Sequence, residues 1–131
     1  MASNSTYVSF YLSSNTIRIF KSTVRFLGTP PFMQFRIHYN GTSMILEPHE
    51  SRTFTTIRVP KNIYTENGSM EVHSKGLCRL LANKLKWDIN CSYRIPGKLI
   101  PQQQIVIFDL AKASVILQSS SYNPELYLRN E

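Results

Sequence analysis

The clearest pattern of apolar and polar positions lies on either side of one Asn-Gly pair. Residues 32–39 and 42–46 alternate between apolar and polar side chains, and Asn40-Gly41 separates them. Asn-Gly is the preferred pair for a two-residue hairpin turn. Such a turn places six large side chains on one face of the hairpin: Met33, Phe35, Ile37, Tyr39, Met44 and Leu46. Pattern and turn therefore predict the same β-hairpin, with a positive φ at Gly41.

A second pattern has the period of a helix. Four leucines recur at spacings of three and four residues: Leu77, Leu80, Leu81 and Leu85. This apolar stripe predicts a helix, and Ser74 is a suitable N-cap for it. We therefore expect the main helix at about 74–87, with Lys75 and Arg79 on its polar side.

Shorter segments predict the remaining elements. Five of them have the alternation and β-branched content of strands: Thr16–Phe20, Phe54–Val59, Met70–His73, Tyr93–Ile95 and Ile105–Leu110. A short helix is predicted over Thr23–Leu27, with Ser22 as its N-cap and Gly28 just after its end. Residues 1–13 are polar with scattered aromatics, which predicts a loose arm or an edge strand.

The order of these elements repeats. A strand, a helix and two strands occur once in half one (about 15–60) and again in half two (about 69–117), and the starts at Ile17 and Met70 are 53 residues apart. With 131 residues the chain fits a single domain. We predict one compact α+β domain of two β-α-β-β halves, with a flexible tail at about 118–131.

Half one resembles the swapped-hairpin family that includes AbrB, MazE and the halves of MraZ. The resemblance rests on a strand, a short helix ending in Leu-Gly, a strand, an Asn-Gly turn and a strand ending near Pro48. It implies either a monomeric pseudo-dimer or a homodimer. It also implies DNA binding through basic residues of the strand–helix segments: Arg18, Lys21 and Arg25 in half one, and Lys75 and Arg79 in half two.

The charge of the chain is compatible with this implication. Lys and Arg number 15 against eight Asp and Glu, so the formal net charge is +7. No acidic residue precedes Glu47. Two basic clusters in corresponding places could contact a phosphate backbone. A solvated helix face, or a surface for an acidic protein partner, would have the same composition. For base stacking, Tyr93 beside Arg94 is the best candidate in the sequence.

Other classes of function find little support. The chain has no Walker loop, nucleophile elbow or dinucleotide-binding fingerprint, so we expect neither an enzyme nor a cofactor. Glu47-Pro48-His49-Glu50 lacks the spacing of a metal site. No stretch of 18 apolar residues and no secretory signal are visible, and Cys78 and Cys91 are too few for a disulfide framework. These features predict a cytoplasmic protein.

Two functions remain from the sequence. The first is a small basic regulator that binds double-stranded DNA through Arg18, Lys21, Arg25, Lys75 and Arg79. The second is a protein-binding module, such as an inhibitor or accessory factor of a phage or mobile element. A mobility shift with DNA on one side, and a stoichiometric protein complex on the other, would separate them.

Overall fold

Short antiparallel strands dominate the structure. The computed structural model describes residues 4–38, 40–61 and 69–116. The strands within those residues are β1 Ser5–Tyr11, β2 Thr16–Phe20, β3 Phe32–Ile37, β4 Ser43–His49, β5 Ile57–Arg58, β6 Ser69–His73, β7 Ser92–Ile100, β8 Ile105–Asp109 and β9 Ser114–Val115. Two α-helices, α1 Lys21–Phe26 and α2 Lys75–Leu85, follow β2 and β6. The predicted α+β class is therefore confirmed, with one main helix.

The strands form one sheet that curves into a nearly closed barrel. Their order is β5-β3-β4-β8-β7-β1-β2-β6, and β9 adds to β7. Every strand pairing among the described residues is antiparallel. The strands at the two ends of this order, β5 and β6, flank the opening of the barrel.

The core fills the inside of the barrel. Its largest fully buried side chains are Phe10, Phe108, Ile17, Ile19, Leu27, Met33, Met44, Leu46, Leu81, Ile95 and Val8. The Phe35 ring lies 6.3 Å from the rings of both Phe10 and Phe108, centroid to centroid. Burial of each such side chain contributes about 1.5–3 kcal/mol, so this cluster is the main stabilising feature of the fold.

The prediction of a loose arm or edge strand at residues 1–13 was wrong. Strand β1 lies in the middle of the sheet, between β7 and β2. Val8 and Phe10 are buried, and the Thr6 hydroxyl lies 2.9 Å from the Thr23 hydroxyl of α1. The alternation of β1 was hidden because the inward Thr6 is polar and the outward Tyr7 is a large aromatic residue.

The predicted hairpin is confirmed over its strands. Phe35 pairs with Leu46 and Ile37 with Met44, and Gly41 has φ +76°. The turn is wider than two residues, because the Gly41 N–H donates to the His38 carbonyl at 2.8 Å. The predicted contact of Tyr39 lies outside the described residues.

Helix α2 agrees with its predicted span, with one change in its buried side. The Ser74 hydroxyl accepts a hydrogen bond from the Leu77 N–H at 3.3 Å, as expected of an N-cap. Leu81 is fully buried, but Leu80 is 51% exposed. The buried residues of the helix are Cys78, Leu81 and Ala82 instead, so the buried side is rotated about the helix axis relative to the predicted leucine stripe.

Three other predicted boundaries were wrong. Helix α1 begins at Lys21, so Ser22 lies inside it, and no side chain caps its start. The strand predicted at Phe54–Val59 is only Ile57–Arg58, and that predicted at Tyr93–Ile95 extends over Ser92–Ile100. Gly28 does end α1, with φ +89°. Neither helix in the described ranges has the length and apolar character needed to cross a membrane.

Candidate nucleic-acid interface

The two helices carry the same pair of basic residues at the same positions. Lys21 is the first residue of α1 and Arg25 the fifth; Lys75 is the first residue of α2 and Arg79 the fifth. Arg25, Lys75 and Arg79 are exposed, and Lys21 is half-buried. Because residues four apart share one side of a helix, each helix presents a Lys/Arg pair to one direction.

The pairing of β2 with β6 determines where these Lys/Arg pairs lie. The two strands are antiparallel, with Phe20 opposite Ser69 and Thr16 opposite His73. Helix α1 begins directly after Phe20, and α2 begins at Lys75, after one intervening residue, Ser74. The helices therefore start beyond opposite ends of the strand pair, which is about 14 Å long at the usual rise per residue.

The electrostatics of both helix starts favour an anion. Neither helix has an acidic residue in its first turn. The start of a helix carries partial positive charge, so a lysine there adds to that charge instead of balancing it. This placement costs a little helix stability and concentrates positive potential at the two Lys/Arg pairs.

Arg18 has a different environment from the helix residues. Its guanidinium donates to the Glu71 carboxylate at 2.8 Å, directly across the β2–β6 pair. The same guanidinium lies 5.0 Å from the centre of the Tyr11 ring. The hydrogen bond to Glu71 raises the pKa of Arg18. A phosphate at this position would have to displace a carboxylate.

Tyr93, the stacking candidate from the sequence, belongs to the core. It is 8% exposed, and its ring stacks on Trp87 with 4.3 Å between centroids. Its hydroxyl accepts a hydrogen bond from the Asp88 N–H at 2.8 Å. The neighbouring Arg94 faces outward and lies 5.4 Å from the centre of the Tyr7 ring.

Exposed aromatic residues on β1 and β2 were missed from the sequence. Tyr7 is 45% exposed and Phe20 is 38% exposed. They flank the paired residues Val8 and Ile19, which point into the barrel. The alternation of buried and outward residues in β1 would have indicated Tyr7, had that segment been recognised as a strand.

An apolar groove opens between the two ends of the sheet. It has a volume of about 730 Å³ and is lined by residues of 54–60, β3, β6 and the start of α2. Phe54 is fully exposed beside it, and Leu80 is half-exposed. Within the described residues, β6 pairs on one side only, with β2.

Glu47, in the acidic segment 47–50, forms an ion pair with Arg36. The Arg36 guanidinium donates to both carboxylate oxygens of Glu47, at 3.1 and 3.2 Å, and His49 lies 3.6 Å from the same carboxylate. The hydrogen bond from Arg36 lowers the pKa of Glu47. Within residues 4–38, 40–61 and 69–116, no three His, Cys, Asp or Glu side chains group as metal ligands would.

Comparison with known proteins finds no match for this chain. No protein-family model matches the chain, and neither the curated proteins nor the solved structures include a match to it. The resemblance of half one to the swapped-hairpin family therefore stays a prediction.

Proposed function

We propose that this protein is a small DNA-binding regulator that contacts the phosphates of double-stranded DNA through the Lys/Arg pairs of α1 and α2. The observation that carries the proposal is the repetition of those pairs at the first and fifth positions of both helices. Arg18 lies between the two pairs, and a phosphate there would compete with Glu71 for its guanidinium.

A pseudo-dimer would explain why the Lys/Arg pairs repeat. Arg18 lies opposite Glu71, 53 residues later, which equals the interval between the predicted starts of the halves. In the hairpins the interval is 62 residues: Phe35 pairs with Leu46, and Gly97 pairs with Phe108. Ile45 lies opposite Ile107 at the same interval. The increase accompanies a longer second helix, of 11 residues against six.

Contacts at the helix ends support the same arrangement. A Cβ atom placed on Gly28, just after α1, would lie 3.3 Å from Gln104 in the turn between β7 and β8. A Cβ atom placed on Gly41, in the turn between β3 and β4, would lie 3.2 Å from Lys84 near the end of α2. Each helix thus ends at the hairpin of the other half, as exchanged hairpins require. A single chain would then supply the two-fold arrangement that DNA-binding dimers use, without excluding a homodimer.

The proposal also places the protein in the cytoplasm. Its ligand would be DNA, and Cys78 and Cys91 are both free thiols. Burial raises the pKa of the Cys78 thiol to about 11, so this thiol stays protonated and unreactive in the folded protein near neutral pH.

A salt titration of duplex binding tests the proposal. We expect the wild-type protein to retard a duplex at about 50 mM salt and to lose affinity by 200 mM. The double variant Arg25→Ala/Arg79→Ala should reduce the slope of log K against log salt by about two, since each lost phosphate contact removes about one. Weakening should be similar for unrelated duplex sequences, because phosphate contacts carry no base information.

The matched control removes two exposed charges elsewhere. Arg52→Ala/Lys112→Ala has the same net charge as the test variant, and both residues are exposed and lie outside α1 and α2. It should leave the slope near the wild-type value. An equal decrease of the salt slope in both double variants would show that only net charge matters. A folded wild-type protein that does not bind the duplex at low salt would refute DNA binding.

The apolar groove favours a second candidate, a protein-binding module. Strand β1 pairs with both β7 and β2, whereas β5 pairs only with β3 among the described residues. The groove lies where β5 and β6 would otherwise meet, and it borders the one-sided strand β6. An extended segment of a protein partner could add a strand there. This function predicts a stoichiometric complex with a partner protein and no DNA shift at physiological salt.

A further inference from the structure

We propose that the outer side of β7, β1 and β2 binds an unpaired nucleic-acid strand by base stacking, at a surface beyond the Lys/Arg pairs of the proposed function. We call this surface the aromatic face. It consists of three rings and two guanidinium groups: Tyr7, Tyr11, Phe20, Arg18 and Arg94. The proposal does not depend on duplex binding by the helices.

The aromatic face is a consequence of strand alternation. Thr6, Val8 and Phe10 of β1 are buried, so Tyr7 and Tyr11 lie on the outward side. On β2, Ile17 and Ile19 are buried, which leaves Phe20 outward. Val8 pairs with Ile19 in antiparallel register. Tyr7 and Phe20 are the next residues toward the same end of the two strands, so they are adjacent to each other.

Each of the two arginines lies over the ring of a neighbouring tyrosine. Ser9 is paired with Arg18 on one side and with Arg94 on the other. The Arg18 guanidinium carbon lies 5.0 Å from the Tyr11 ring centre, and that of Arg94 lies 5.4 Å from the Tyr7 ring centre. Both distances are within the range of cation–π contact. Ser9 remains small and covered, so nothing bulky separates the two groups.

These groups match the chemistry of an unpaired strand. Base stacking on aromatic rings and guanidinium planes is the common mode by which proteins hold single strands without reading sequence. Lys98, opposite Ser5 on β7, is exposed and adds positive charge at the edge of this face. Bases inside a duplex already stack on each other and do not present their flat sides to Tyr7 or Phe20. The ligand class is therefore a single strand.

Two labelled homopolymers of about 20 nucleotides, oligothymidine and oligouridine, serve as probes because neither forms a duplex with itself. We expect the wild-type protein to bind at least one of them at about 50 mM salt. Tyr7→Leu and Phe20→Leu should each weaken that binding about fivefold or more, since each removes a stacking ring. The preferred homopolymer distinguishes DNA from RNA.

Conservative variants separate stacking from a structural effect. Tyr7→Phe and Phe20→Tyr keep the rings and should bind within about twofold of the wild type. Arg25→Ala/Arg79→Ala should keep homopolymer binding while its duplex binding falls, so the two proposals fail or hold separately. The proposal is overturned if the folded wild type binds neither homopolymer, or if Tyr7→Leu and Phe20→Leu bind as the wild type does.

Discussion

Arg18 and Arg36 are each bound to a glutamate, but they lie in different surroundings. The Arg36–Glu47 pair joins β3 and β4, the two strands of one hairpin. His49 lies near the same Glu47 carboxylate. The Arg18–Glu71 pair joins the two halves and lies between the two Lys/Arg pairs of the proposed DNA interface. Arg18, Glu71 and Arg36 are exposed and Glu47 is half-buried, and ion pairs this close to solvent typically contribute between zero and about 1 kcal/mol to stability. Their removal therefore tests function with little risk to the fold.

Glu71→Gln should strengthen duplex binding. The substitution removes a carboxylate that competes with phosphate for Arg18, so we expect an affinity gain of about threefold and a salt slope larger by up to about one. Glu47→Gln is the matched control, because it breaks the other Arg–Glu pair and changes the net charge equally. Fluorescence anisotropy with one labelled duplex measures all three proteins. A gain of the same size in both variants would show that only net charge matters.

At the scale of elements, helix α2 combines a core contact with an exposed basic side. Cys78, Leu81 and Ala82 are buried, while Lys75 and Arg79 are exposed one turn apart. The helix is thereby fixed on the barrel by one side and leaves the other for a ligand. The sequence predicted this division correctly except at Leu80, since four leucines alone do not reveal that Ala82 packs inward.

Leu81→Ala and Leu80→Ala make a matched comparison on α2. We expect Leu81→Ala to lower the free energy of unfolding by about 2–5 kcal/mol, because it leaves a cavity in the core. Leu80 is half-exposed, so its truncation should cost less than about 1 kcal/mol. Urea unfolding followed by circular dichroism measures both. Equal losses would mean that Leu80 is covered in solution.

Across the whole molecule, the elements that depend on local sequence signals were predicted correctly, whereas the pairings between distant strands were not. The hairpin around Gly41 and the helix after Ser74 follow from residues close in sequence, and both are found. The central position of β1 depends on pairing with β7, about 90 residues away, and no local pattern encodes it. The Arg18–Glu71 pair spans 53 residues and was missed for the same reason. Within the candidate site, residue types were predictable, but their partners were not.

The central claim is that two equivalent Lys/Arg pairs act together on duplex DNA. Its most direct test measures the salt dependence of duplex binding for Lys21→Ala/Arg25→Ala and for Lys75→Ala/Arg79→Ala. A pseudo-dimer that contacts phosphates with both helices predicts that each variant lowers the slope by about two, and that the quadruple variant lowers it by about four. If one double variant leaves the slope unchanged while the other abolishes binding, the helices are not equivalent and the account is wrong.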